Sequence, residues 1–235
     1  MTEELFREDS YLKSCTAIAT MVKGHAVVLD RTVFYPAGGG QPGDQGVLLF
    51  GGREASVIDC FKDRETGDHC HVLAEDAPLP EVGETVEAVV DWERRHRLMR
   101  MHTALHLLCG AVDGAVTGGS VGVDKGRLDF DLEEAPDKEA LAERLNAAVE
   151  ADADVSISWI TDAELDANPD MVRTMSVKPP RGTGKVRVIE VVGIDLQPCG
   201  GTHVKKTGEI GRLRVGKIEK KGRLNRRINI HFDEN

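Results

Sequence analysis

Cysteine is scarce in this chain, five residues in 235. Their odd number and wide spacing exclude a disulfide-framed secreted scaffold and suit reduced thiols or metal ligation. No apolar run approaches membrane-spanning length. The start, Met1-Thr2-Glu3-Glu4-Leu5, lacks the basic and apolar stretches of a secretory signal, so a cytoplasmic protein is expected. Internal repeats and low-complexity tracts are also missing, which excludes solenoids and disordered linkers. A surplus of positive charge is lacking too: the formal net charge of −10 argues against indiscriminate polyanion binding.

The chain does have enough apolar residues, 40%, to fill two small domains or one large one. Its basic residues are gathered at one end. From Lys205 to Arg227 there are ten Lys and Arg against two Glu, locally about +8. A basic face on an acidic body fits a specific nucleic-acid partner; a lysine-protected sheet edge fits the same charges.

Up to residue 90 short strand-like runs are broken by glycine and proline: Ala26 to Leu29, Val47 to Phe50, Ala55 to Phe61, His69 to Leu73 and Thr85 to Val90. This predicts a small antiparallel barrel over 1–90. Asp91 then caps a helix expected to reach about Val112, with Leu98, Leu105 and Leu108 apolar and Arg94, Arg95, Arg97 and Arg100 in its first half. A strand from Arg127 to Leu132 precedes a helix from Pro136 to about Ala151, with Leu141, Leu145 and Ala148 on one side. Val155 to Ile160 alternates, and Thr161 with Glu164 forms a capping box. Strands at Lys185 to Val192, Ile210 to Ile218 and Arg227 to Phe232 complete an α+β domain over 91–235, its helices packed on a mainly antiparallel sheet.

Two histidines four apart, His102 and His106, fall inside the long helix, where that spacing puts both rings on one face. A zinc peptidase would carry glutamate after the first of them; Thr103 stands there instead. Downstream, Gln197-Pro198-Cys199-Gly200-Gly201-Thr202-His203 offers a thiol and a third imidazole, with glycines that let the backbone turn between them. The four together read as one zinc site. Four protein ligands ordinarily close a structural site, whereas catalysis needs an open position for water, so zinc as catalyst and zinc as frame both stay open.

His69 and His71 face one way in a strand and Cys70 the other, which reads as a structural arrangement; Cys15, Cys60 and Cys109 read as small buried hydrophobes. For His25, His96 and His231 the sequence identifies no partner. The segment Thr32 to Gly46, with Gly38-Gly39-Gly40-Gln41-Pro42-Gly43-Asp44 at its centre, is too glycine-dense for an ordinary hairpin and lacks the ending of a phosphate-binding loop. Close approach to a ligand and a tight barrel corner explain its glycines equally well.

These three segments, in order over nearly the whole chain, resemble the editing domain of alanyl-tRNA synthetase, and more closely its free-standing relatives, the AlaX alanyl-tRNA editing proteins of two-domain, intermediate length. The threonyl-tRNA synthetase editing domain shares the zinc-type motifs but not the glycine-rich front. The resemblance implies an esterase that deacylates tRNA(Ala) mischarged with serine, and also with glycine, by zinc-assisted or zinc-organised water attack. It implies one zinc ion on His102, His106, Cys199 and His203, the catalytic centre, and an editing pocket against the glycine-rich segment. Thr32 is the candidate for sensing the serine hydroxyl, with Gly39, Gly40, Gln41 and Asp44 shaping the pocket. Arg97, Arg100, Lys205, Lys206, Arg226 and Arg227 are the candidate phosphate contacts. A zinc-stabilised RNA-binding module without catalysis, and a metal-dependent hydrolase of a small ester or amide, are the rival readings.

Overall fold

A computed structural model describes residues 2–174 and 184–234. The chain forms two compact units, Met1–His96 and Arg97–Asn235, divided inside the first long helix.

The first unit contains β1 (Glu3–Glu4), β2 (Ser14–Lys23), β3 (Ala26–Leu29), β4 (Arg31–Thr32), β5 (Gly46–Phe50), β6 (Arg53–Lys62), β7 (His69–Leu73) and β8 (Thr85–Val90). The order β2-β3-β7-β6-β5-β8 closes into the expected antiparallel barrel, which leaves no sheet edge to protect. Alternation decides which side chains point inward. β8 buries Val86, Ala88 and Val90 while exposing Thr85 and Glu87. Leu29, Val33, Phe34 and Leu48 are fully buried in this core, each contributing about 1.5–3 kcal/mol by leaving water. β2 is absent from the sequence reading because its inward residues include only small ones, Ala17 and Ala19.

The helix α1 (Trp92–Ala111) is capped by the carboxylate of Asp91, which accepts the Arg94 N–H at 3.1 Å. From Met101 to Cys109 every residue is buried. A helix buried on all sides must find partners for its polar groups, here His102, Thr103 and His106.

The remaining elements are β9 (Ala115–Ser120), β10 (Lys125–Asp131), α2 (Lys138–Glu150), β11 (Val155–Ile160), α3 (Asp162–Ala167), β12 (Val186–Val191), β13 (Asp195–Pro198), β14 (Leu213–Lys220) and β15 (Asn225–Phe232). They build a four-stranded sheet, β14-β15-β10-β9, and a three-stranded sheet, β11-β12-β13. Every pairing in both is antiparallel. The protein is therefore α+β. α2 starts after Asp137, whose carboxylate accepts the Ala140 N–H. It buries Leu141, Leu145 and Val149, so Val149 and not Ala148 completes its apolar stripe. The capping box of Thr161 and Glu164 opens α3. Among the described residues no helix is long and apolar enough to cross a membrane.

Candidate metal centre

α1 carries His102 and His106 one turn apart, and the chain leaving β13 carries Cys199 and His203. One ligand atom from each lies within 4.8 Å of all the others. Cys199 Sγ stands 3.6 Å from His102 Nε2 and 3.3 Å from His203 Nε2. Ligands about 2.0–2.3 Å from one shared zinc ion are spaced this way, and three imidazoles with one thiolate suit its borderline-soft character. The residues present fit a zinc ion.

The surroundings orient His106, His203 and the turn that carries Cys199. Asp195 Oδ2 accepts the His106 Nδ1 proton at 2.7 Å, and Gln197 Nε2 donates to the same oxygen at 2.7 Å. That bond leaves Nε2 of His106 bare to face the cluster. With Nε2 of His203 toward Cys199, its Nδ1 donates to Thr103 Oγ1 at 3.2 Å, and Thr103 passes its own proton to the Met99 carbonyl at 3.0 Å. Thr103 thus serves as a prop where a peptidase has its base. The Cys-Gly-Gly turn is held by Arg187, whose Nη1 donates to the carbonyls of Cys199 at 2.8 Å and Gly201 at 2.9 Å.

At Cys199 and His203 the charges agree with ligation, while His106 must give up a proton to bind a metal. Burial alone would raise the Cys199 thiol, but His102 and His203 outweigh it and hold the thiol well below its ordinary range. Burial and the His102 charge push His203 well below the usual imidazole value. For His106 burial acts downward, yet the bonds to Asp195 and Cys199 win and push it up to about 9. Asp195, Gln197, Arg187 and Thr103 had no role assigned from sequence. Period-two spacing of Asp195, Gln197 and Cys199 was the available signal, since it sets all three on one side of the strand. Asp195→Asn removes the anionic acceptor and is expected to weaken zinc binding about 10–100-fold, measured by chelator competition. Unchanged affinity would show that Asp195 does not support His106.

In the first unit the glycine-rich segment folds back on itself. Gly38 and Gln41 exchange backbone hydrogen bonds of 3.0 and 2.9 Å, and Gly39 and Gly40, at φ of 57° and 85°, make the tight turn that two left-handed residues allow. At Gly43 a Cβ would meet the Cys60 carbonyl at 2.2 Å, so this glycine is required by close packing within the barrel. Gln41 is buried. Asp44, expected to line a pocket, has its carboxylate committed elsewhere. It accepts the Tyr35 N–H at 2.5 Å and the guanidinium of fully buried Arg95, and so ties the loop shut.

Thr32 is also fully buried. Its Oγ1 accepts the Phe34 N–H at 3.1 Å and lies 2.8 Å from Nε2 of His71. Cys60, His69 and His71 form a second group with metal-type ligand atoms. Cys60 and Cys109 are buried as expected, whereas Cys15 is only partly so; Cys70 is buried too. His96, without an identified partner in the sequence, stacks on Trp92 at 5.4 Å.

The candidate phosphate contacts separate into two sets. Arg226 is buried, and its guanidinium donates to the carbonyls of Glu133, Gly222 and Arg223, which corrects its assignment to a nucleic-acid face. Arg227 is paired with both oxygens of Asp129, and Arg97 and Arg100 share Glu234. Lys205 and Lys206 are exposed, with Lys206 between Asp152 and Asp154.

Residues 4–94 match the family described as tRNA synthetases class II (A), and residues 186–229 the threonyl and alanyl tRNA synthetase second additional domain. Over its length the chain is similar to the alanyl-tRNA editing protein AlaX-M of Methanosarcina mazei, 36% identical across 97% of this chain and 95% of that one. It is 34% identical to the AlaX-M of Pyrococcus horikoshii, across 99% of both chains. The alanine–tRNA ligase of Pyrobaculum neutrophilum is 38% identical across 93% of this chain but only 25% of the ligase. Full-length similarity to the free-standing proteins, together with the assembled His102, His106, Cys199 and His203 cluster, shows that the chain belongs to the AlaX-M family of alanyl-tRNA editing proteins.

Proposed function

We propose that this protein deacylates tRNA(Ala) carrying the wrong amino acid, chiefly serine and also glycine. The observation that carries this reading is the convergence of four ligand-type side chains, with His106 and His203 propped by Asp195 and Thr103, in a chain that matches alanyl-tRNA editing proteins over nearly its whole length. Such an activity answers a physical limit. A pocket sized for alanine cannot shut out smaller glycine, and it discriminates against one added hydroxyl only about 100-fold.

The reaction is ester hydrolysis: water adds to the aminoacyl carbonyl, the bond to the terminal ribose oxygen breaks, and a free amino acid and tRNA leave. An aminoacyl ester is already activated, so orientation and charge stabilisation at the carbonyl suffice. Zinc bound by His102, His106, Cys199 and His203 would supply a fixed positive centre for that purpose. The protein's own part is to hold the imidazoles in one tautomer through Asp195 and Thr103. Next to the buried histidines, Gly200 is exposed and Cys199 partly so. Among the six candidate phosphate contacts, Lys205 and Lys206 are the exposed ones.

Thr32 is the residue we assign to sensing serine. A hydroxyl offers one proton and two lone pairs; the Phe34 N–H takes one lone pair and His71 adjoins the hydroxyl. Thr32 is buried, so a serine side chain reaches it only as neighbouring groups give way, and the bond then forms out of water, where an unmet polar group costs about 1–3 kcal/mol. Thr32→Val keeps the shape and removes the hydroxyl. It is expected to cut the preference for Ser-tRNA(Ala) over Ala-tRNA(Ala) about tenfold or more, read as the ratio of kcat/KM values. The assay with Ser-, Gly- and Ala-tRNA(Ala) also tests the activity itself: binding without ester loss supports an RNA-binding module, and turnover of free esters but not of tRNA supports a small-ester hydrolase.

A further inference from the structure

The first unit buries a histidine for which the barrel core has no need. His71 is 0% exposed on β7, a position where leucine or phenylalanine would pack without the cost of hiding a polar ring. The ring is fixed on three sides. Nδ1 lies 3.1 Å from the Val27 carbonyl, His69 stacks on one face with centroids 4.9 Å apart and planes at 11°, and Phe34 meets it edge-on at 5.3 Å. Its remaining nitrogen, Nε2, is 2.8 Å from Thr32 Oγ1, across 39 residues of sequence.

A carbonyl only accepts, so Nδ1 carries the ring proton and donates it to Val27. Burial, with the charge of His69 acting in the same direction, pushes His71 down to about 3, so the ring is neutral near pH 7 and Nε2 is a bare acceptor. The Thr32 hydroxyl must then give its proton to Nε2. Its first lone pair already receives the Phe34 N–H, and one lone pair is left.

We propose that His71 is a positioning residue that fixes the Thr32 hydroxyl as a hydrogen-bond acceptor, so that the site reads a side chain bringing a proton of its own. This rests on the assignment of Thr32 as the serine sensor. Serine supplies such a proton; alanine brings only a methyl group and glycine nothing, so neither satisfies the waiting lone pair. Without His71 the hydroxyl would rotate, presenting proton or lone pair indifferently, and selectivity would fall while the barrel stood.

The same ring nitrogens bear on the other use of this cluster. Cys60, His69 and His71 have the ligand types for a metal, and both ring nitrogens of His69 lack a hydrogen bond, although Glu4 Oε1 stands 3.5 Å from its Nδ1. Both nitrogens of His71 are already engaged, so a metal there would have to displace Thr32 or Val27. The geometry favours the positioning role.

Two measurements test it on the full-length, zinc-loaded protein. In the first, His71→Phe keeps a planar ring without Nε2, and His71→Gln keeps an acceptor near its place. His71→Phe is expected to lower the serine-over-alanine preference about tenfold, as Thr32→Val does, and to add nothing to Thr32→Val in the double variant. His71→Gln should retain most of the preference. If Thr32→Val lowers selectivity and His71→Phe does not, the positioning role is overturned and the Thr32 assignment stands; if Thr32→Val itself changes nothing, both fall.

In the second, nitrogen-15 NMR of the wild-type protein requires no folded variant. A neutral His71 with its proton on Nδ1 supports the role, and the opposite tautomer overturns it. Movement of the His69 and His71 signals on adding a second equivalent of zinc also overturns it, in favour of a metal site.

Discussion

Cys199→Ala and His102→Ala are each expected to lower the zinc content from about one ion per chain to a small fraction of that, and to reduce deacylation of Ser-tRNA(Ala) by at least about 100-fold. The size follows from position. Loss of an outer-shell partner alone typically costs about 10–100-fold in affinity or activity, and these residues are proposed as direct ligands, their donor atoms facing one another at 3.6 Å. Losing one leaves three ligands in a buried cluster where His106, with Asp195 on its far side, holds a proton readily. The proton then competes with the metal.

Stability should fall as well. Structural zinc contributes about 10–16 kcal/mol to small zinc-finger peptides. In the larger second unit, part of that support would appear as a lower melting temperature for both variants and for the chelated wild type. Metal content by elemental analysis, melting by circular dichroism and single-turnover ester loss are the three readouts. A metal-loaded variant that deacylates at the wild-type rate would remove His102 or Cys199 from the proposed centre. Exchange of zinc for cobalt separates the two roles left open by a four-ligand shell: turnover that shifts with the ion marks a catalyst, and turnover that holds marks a frame.

What was legible in the sequence depended on how local its cause is. Alternation located β8, because burial on one face imposes period two on adjacent residues. Caps located α1 and α3 for the same reason: Asp91 and Thr161 act on groups three residues away. β9 escaped because two glycines break its pattern. The cluster of ligand-type side chains could be picked out though 97 residues separate Cys199 from His102, since each half, a His pair on one helix face and a Cys-Gly-Gly-Thr-His turn, has a local signature. Single-residue partners have none. Nothing near His71 announces Thr32, and nothing near Asp44 announces Arg95, 51 residues on.

The basic tail is harder to read. Counting charges left a phosphate-binding face and a protected sheet edge both open, and the fold pairs Arg227 with Asp129, Arg97 with Glu234 and Arg226 with backbone carbonyls. Charge density in the sequence cannot distinguish arginines that hold the protein from lysines that remain at its surface.

Arg95→Met is expected to destabilise the first unit by about 3–5 kcal/mol, the cost of leaving one member of a buried ion pair alone. Arg95 is fully buried and reaches four acceptor oxygens on three residues of the same unit. Its Nε lies 3.0 and 2.9 Å from the two oxygens of Asp44, and it donates to the carbonyls of Ser10 at 3.0 Å and Val33 at 2.6 Å. Removing it strands the carboxylate that closes the glycine-rich loop on Tyr35. Pairing the change with Asp44→Leu removes the lone charge and should recover part of the loss, since apolar replacement of both members of such a pair is often neutral. Recovery stays incomplete because the Ser10 and Val33 carbonyls still lack their donor, at about 1–3 kcal/mol for each buried group left unmet. Urea denaturation of the wild type, both single variants and the double variant gives the cycle directly. A single variant within about 1 kcal/mol of wild type would mean that water reaches the carboxylate and the pair is not sealed. The same variants connect stability to selection: Val33 follows Thr32 in the chain, so slack in the Arg95 tether moves the hydroxyl away from His71, and the preference for serine over alanine should fall even at temperatures where Arg95→Met is still folded.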